Sequence, residues 1–164
     1  MALPKKWGSG KRAAADGTLK QTFDANLLSE LHVRYLKRGV IGYYLVSDQY
    51  IALFSHFITC GAHESWYILD GVANNTMDIQ PDTLHGDTHA QNYAVFGLAY
   101  LLGIELMPRI RGIKKLVFYK PASKTKYSNI NSLFKDHMRW AYIVKAYPDM
   151  LRLVMSIQQS HRLF

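Results

Sequence analysis

With 164 residues, 49% of them hydrophobic, the chain has the length of one domain and too much apolar content to stay disordered. Cys60 stands alone, which excludes an internal disulfide framework and suits a reducing cytoplasm. The formal net charge of +8 is segregated: residues 1–40 carry eight Lys/Arg and three acids, residues 41–105 carry seven acids and no Lys or Arg, and residues 106–164 carry twelve Lys/Arg and two acids.

In chain order, MALPKKWGSGKR at residues 1–12 reads as a basic arm without the apolar core of a signal peptide. Ala13-Ala14-Ala15-Asp16-Gly17-Thr18 predicts the end of a strand, with Asp16-Gly17 turning the chain. Asp24 to Tyr35 predicts a helix capped by Asp24. Ile41–Val46 and Ile51–Ile58 are β-branched and aromatic runs around Ser47-Asp48-Gln49, hence a strand pair. Ala62–Val72 has helical apolar spacing through Trp66, Leu69 and Val72. Thr83–Asp87 predicts a strand, and Gln91–Leu102 a helix apolar on most sides and therefore buried. Ala94–Ile104 is the chain's longest apolar run, about half of the roughly 20 residues that span a bilayer, so no membrane segment is expected. Glu105–Ile110 and Leu116–Tyr119 predict strands, the second at an edge. Leu133–Ala146 predicts a helix, and Pro148 the start of another. Strands, a strand–helix–strand unit and then helices define an α/β or α+β layered domain.

Three constellations can carry chemistry. Asp16 and Asp87 each fall at a predicted strand end, where carboxylates on adjacent strands can share Mg²⁺ with substrate phosphate oxygens. The competing account makes Asp16-Gly17 a plain turn and Asp87 a helix cap. His85, Asp87 and His89 alternate, and on one strand face they could hold zinc or iron, giving a transition-metal hydrolase. Between Met107 and Phe134 there are seven Lys/Arg and no acid, interleaved with Phe118, Tyr119 and Tyr127. Basic residues neutralise phosphates and aromatics stack on bases, so Arg109, Arg111, Lys114 and Lys115 are candidate DNA contacts; the competing account is a solvated surface. No Gly-x-Ser-x-Gly elbow or Gly-rich phosphate loop is present.

Longer ordered blocks add a resemblance. Ala14-Ala15-Asp16-Gly17-Thr18, the block Val46–Ser55, SWYILDGV at Ser65–Val72, DIQPDTLHGDT at Asp78–Thr88 and VFGLAYLLGIELMPRIR at Val95–Arg111 resemble the Tn-three family of replicative, cointegrate-forming transposases. The similarity runs from about Trp7 to Gln159. It implies a ribonuclease-H-like mixed sheet flanked by helices, with an Asp-Asp-Glu set of catalytic carboxylates. By that resemblance Asp16 is the first catalytic acid, on the first strand, and Asp87 the second, after the fourth. The pair would hold two Mg²⁺ (or Mn²⁺) ions. The implied activity is DNA transposition: water cuts a strand, and the freed 3′-hydroxyl attacks target DNA.

The chain departs from the family pattern in its third acid. Glu105 is the last glutamate and falls on the strand after the central helix; Asp136 and Asp149 are the only later acids. His89-Ala90 also replaces the commoner Gln-Gly or His-Gly. The resemblance therefore implies residues 13–159 as a partial catalytic domain, truncated before the helix that carries the catalytic Glu, with 160–164 an unrelated tail. An inactive fragment is expected, in the bacterial cytoplasm with the nucleoid. Its partners would be transposon-end and target DNA, with self-association or association with an intact transposase. A non-catalytic DNA-binding remnant that interferes with intact transposase is the second reading.

Overall fold

A computed structural model of the chain describes residues 7–23 and 25–160. They divide into two compact units, one running to Ile110 and one starting at Arg111. The first unit contains β1 (Arg12–Gln21), β2 (Glu30–His32), β3 (Lys37–Ser47), β4 (Ala52–Thr59), α1 (Tyr67–Ala73), β5 (Thr83–Gly86), α2 (Tyr93–Leu101) and β6 (Glu105–Pro108). Short 3₁₀ turns at Glu64–Trp66 and Thr88–Ala90 precede the two helices.

The six strands form one mixed sheet. β3 is its centre: β1 lies antiparallel along one edge, and β2 and β4 pair with successive stretches of its other side. β1 then pairs parallel with β5, and β5 parallel with β6. The main order is β4-β3-β1-β5-β6. β3 is central because its run KRGVIGYYLVS is apolar enough to be buried from Gly39 to Tyr43. β1 instead alternates: Ala13 and Ala15 are buried while Arg12, Ala14 and Asp16 are exposed. Ile68 of α1 comes down on the sheet at Gly86 of β5, where a Cβ would meet Ile68 Cδ1 at 3.3 Å. Leu45, Ile68, Leu84 and Val95 form the fully buried heart of this core.

The strand pair around Ser47-Asp48-Gln49 forms as expected, with the turn closed by Tyr50 N–H donating to Ser47 O at 2.9 Å. The Asp48 carboxylate accepts from Ser9 N (3.0 Å) and Gly10 N (2.8 Å), so residues 9–10 are tied to this turn. The rest of the expected arm, residues 1–6, lies outside the described residues, as do Asp24 and residues 161–164.

Several local expectations are corrected. β1 does not end at Asp16-Gly17; it runs on to Gln21, because β3 offers partners as far as Gly39. The expected helix from 24 to 35 is absent. Asn26 Oδ1 accepts from Leu28 N at 2.9 Å, an Asx turn that competes with helical bonding, and Glu30–His32 pairs with β3 instead. The helix over 91–102 starts later, at Tyr93, where Asn92 Oδ1 caps Ala94 N. It is not buried all round: Val95 and Ala99 are inside, while Tyr93 is 77% and Tyr100 83% exposed.

The second unit holds β7 (Phe118–Lys120), β8 (Phe134–His137) and α3 (Trp140–Ser160). β7 and β8 pair in parallel as a separate two-stranded sheet. The helix expected from Leu133 therefore begins only at Trp140, because Phe134 stacks on Tyr127 (5.0 Å between ring centres) and meets Phe118 edge-on. Pro148 does not start a helix; α3 continues through it. Among the described residues no helix is long and apolar enough to cross a membrane.

Candidate active site

The parallel register of β1 and β5 places the site. Ala15 is paired with Gly86, the last residue of β5. The next residue on each strand is an aspartate: Asp16 and Asp87. Adjacent strands lie about 4.8 Å apart, so the register brings both carboxylates to one end of the parallel pair from residues some seventy positions apart. The plain turn that the sequence allowed at Asp16 is not formed. Asp16 sits mid-strand, paired with Tyr44 of β3 and accepting from Gly17 N at 2.9 Å. Asp87 does cap the following 3₁₀ turn, its Oδ1 accepting from His89 N at 2.8 Å. That bond uses one carboxylate oxygen.

A third carboxylate, unremarked in the sequence, joins them. Glu64, on the 3₁₀ turn before α1, reaches over β1 so closely that a Cβ on Gly17 would overlap its Oε2 and stand 2.9 Å from its Cδ. Glycine at 17 is the cradle in which this side chain rests. Burial pushes the Glu64 carboxyl above its ordinary range; Asp87 and Asp16 add to the rise and His89 opposes it, its Nδ1 standing 3.6 Å from Glu64 Oε1. The Tyr43 hydroxyl is also raised, first by burial and then by Glu64, Asp87 and Asp16. One tyrosine therefore feels all three acids. No local pattern singles out Glu64 in the sequence; it is one of seven acids in the stretch 41–105, which has no Lys or Arg.

Asp16, Glu64, Asp87 and His89 line a cavity of about 630 Å³. Hard oxygen donors are what Mg²⁺ and Mn²⁺ require. The donor set therefore fits those ions, although among the described residues no three His, Cys, Asp or Glu side chains close into a metal-holding group. His85 does not line the cavity. It pairs with Ala14 and Met107 on the pleat opposite Leu84, and β5 ends before Asp87, so the His85-Asp87-His89 face required by a transition-metal centre is not formed by one continuous strand.

Other candidates lie elsewhere. Glu105 is at the far end of β5, paired with Thr83, whose Oγ1 is 3.4 Å from its Oε2. In the second unit Asp136 is engaged by His137, whose backbone bond lowers its pKa, and Asp149 by Arg152 at 2.8 Å. Arg109 follows β6, its N–H donating to Gly86 O at 2.9 Å beside Asp87. Arg111, Lys114 and Lys115 belong to the second unit, the two lysines on a 3₁₀ turn after left-handed Gly112.

Paired carboxylates at one end of a parallel strand pair suit divalent-cation phosphoryl-transfer chemistry. Comparison with known proteins is more specific. Residues 1–162 match the family described as Tn3 transposase DDE domain. The chain is 26% identical over 161 residues to the transposase for transposon Tn1546 of Enterococcus faecium, covering 98% of this chain and 16% of that protein. It is 29% identical to the transposase for transposon Tn501 of Pseudomonas aeruginosa (97% and 16%) and 25% identical to that for transposon gamma-delta of Escherichia coli (96% and 16%). The chain belongs to the Tn3 transposase DDE domain family, and it spans about 16% of the length of these relatives. No solved structure matches it.

Proposed function

We propose that this chain supplies the first two carboxylates of a DNA-strand cleavage and transfer centre, Asp16 and Asp87, on a ribonuclease-H-like sheet. The observation that carries the reading is the β1–β5 register, which sets the two aspartates side by side. The sheet supports the fold: leaving aside the short β2, it has three antiparallel strands followed by two parallel ones, with the acids on the first and after the fourth. Asp16 and Asp87 would hold Mg²⁺ or Mn²⁺. The ions would activate the attacking oxygen and offset charge on the leaving oxygen. The Asp87–His89 N bond fixes one carboxylate, and Glu64 deepens the negative field of the cavity.

Transposon-end and target DNA are the proposed substrates. Arg109, beside Asp87, and Arg111, Lys114 and Lys115 are proposed phosphate contacts. These 164 residues contain no Glu after Glu105, so the polypeptide of this sequence is expected to do little strand transfer by itself. A catalytic group misplaced by about 1 Å already costs about 10²-fold. Metal binding is the direct test. Mn²⁺ titration followed by paramagnetic resonance should show binding that is lost in both Asp16→Asn and Asp87→Asn. Binding unchanged in either variant would remove that residue from the site, and robust Mg²⁺-dependent joining of transposon ends by the wild-type polypeptide would overturn the expected inactivity.

A further inference from the structure

The cavity that holds Asp16, Glu64 and Asp87 is two-signed. Its other wall is the turn from β2 into β3, which contributes His32, Arg34, Tyr35 and Lys37. Among the described residues neither Arg34 nor Lys37 has a carboxylate within ion-pair distance; Arg34 lies over the Tyr35 ring at 5.6 Å. The turn is held in shape rather than left loose. The His32 and Tyr35 rings pack at a tilt of 34° with centres 4.6 Å apart, and Leu36 N–H donates to His32 O at 2.8 Å. Leu36 takes a left-handed φ of 51°, a conformation unfavourable for a leucine and kept only where its surroundings impose it. A solvent-exposed turn of defined shape thus presents two cations into a cavity whose far side is anionic.

Cations beside carboxylates would ordinarily pair with them. Here they line the same cavity without pairing, which suits a ligand that carries negative charge at one end and meets metal-neutralised carboxylates at the other. A nucleic-acid strand has that chemistry. We propose that the turn from His32 to Lys37 is the strand-positioning wall of the catalytic cavity, with Arg34 and Lys37 gripping backbone phosphates of the DNA strand whose scissile phosphate lies at Asp16 and Asp87. The proposal rests on the function proposed above and adds residues that the basic segment from Arg109 onward does not include. Arg34 and Lys37 are positioning residues. They would fix the strand's register against the carboxylates, while Tyr35 stiffens the arginine through its ring.

The test is the salt dependence of binding of a fluorescein-labelled single-stranded oligonucleotide of transposon-end sequence, in Ca²⁺. Each neutralised phosphate contributes roughly −0.7 to the slope of log K against log salt for single strands. The variant Arg34→Gln/Lys37→Gln should reduce the magnitude of the slope by about 1.4, and Arg34→Lys should retain it. Lys114→Gln/Lys115→Gln serves as a comparison outside this turn, with its own slope change expected to add to that of the first pair. Both replaced residues are exposed, and circular dichroism checks the fold of each variant. A slope identical to wild type in Arg34→Gln/Lys37→Gln overturns this proposal and leaves the proposed function standing. Failure of the wild-type chain to bind the oligonucleotide at any salt concentration overturns both.

Discussion

Alanine at position 17 would test whether Glu64 belongs to the site or merely rests near it. The new Cβ would overlap Glu64 Oε2, stand 2.9 Å from Glu64 Cδ and 2.9 Å from Ile41 Cγ2. The two obstacles differ in kind. Glu64 ends in a flexible carboxylate and can swing outward, away from Asp16 and Asp87. Ile41 is 3% exposed on the central strand, and its methyl can move only by disturbing the core. Overpacking of this sort costs about 1–3 kcal/mol. Displacing Glu64 from its seat beside His89 adds to the strain at Ile41, and since its carboxylate is flexible the lower part of that range is expected, about 1–2 kcal/mol. Hydrogen exchange of the β3 amides from Ile41 to Tyr43 reads the first unit alone, and 1.4 kcal/mol is about a tenfold change in opening. Gly17→Ala should therefore speed exchange by roughly tenfold, and the same substitution in a Glu64→Ala background by distinctly less, since only the Ile41 contact remains. Equal effects in the two backgrounds would refute the account, because Glu64 would then not occupy the space above Gly17.

Further outcomes follow from other contacts. In metal-free buffer the raised carboxyl of Glu64 implies a native state that holds its proton more tightly than the unfolded chain. The stability this contributes is full below the unfolded value of about 4.5 and is lost as pH rises through the folded value; Glu64→Gln should flatten that part of the urea-midpoint profile, and an unchanged profile would count against the shift. Asp48→Ala removes the acceptor for Ser9 and Gly10 N–H, at a cost of about 1–3 kcal/mol, and limited proteolysis should then cut near residues 8–11; continued protection would show that the turn is not what holds them. Pro148 lies inside α3, where proline removes a hydrogen bond and costs up to about 3 kcal/mol; Pro148→Ala should raise helicity and slow exchange over Val144–Arg152, and faster exchange would mean that the proline serves α3 in another way.

The parts of the molecule legible in the sequence are those where local pattern and tertiary demand agree. β3 and β4 are rich in β-branched and aromatic residues, and their local preference agrees with the pairing they adopt. Asp87 was readable because Gly86-Asp87-Thr88 is both a strand end and a cap, and the cap is what forms. Asp16-Gly17 was misread for the converse reason. The dipeptide favours a turn locally, but β3 supplies nine paired positions from Ser47 to Gly39, and leaving their backbone groups unbonded would cost more than a turn gains. The glycine is retained for space instead of for turning, and what fills the space is Glu64.

The same competition decided residues 24–35 and 133–139. In the first stretch Leu27 and Leu31 are exposed, and the segment gives three residues to the edge of β3. In the second, stacking between Tyr127 and Phe134 fixes a strand where helix propensity alone prevailed in the reading. The site had a similar blind spot. A search for chemistry at strand ends finds Asp16 and Asp87, since register follows from pattern. It passes over Glu64 and Arg34, on turns, and Lys37, at the start of β3, whose approach to the cavity only the folded sheet determines. The two aspartates proposed for the site were thus readable in the sequence. The residues that would shape the field around them and grip a strand opposite were not, because no periodicity announces a side chain that enters a site from a turn.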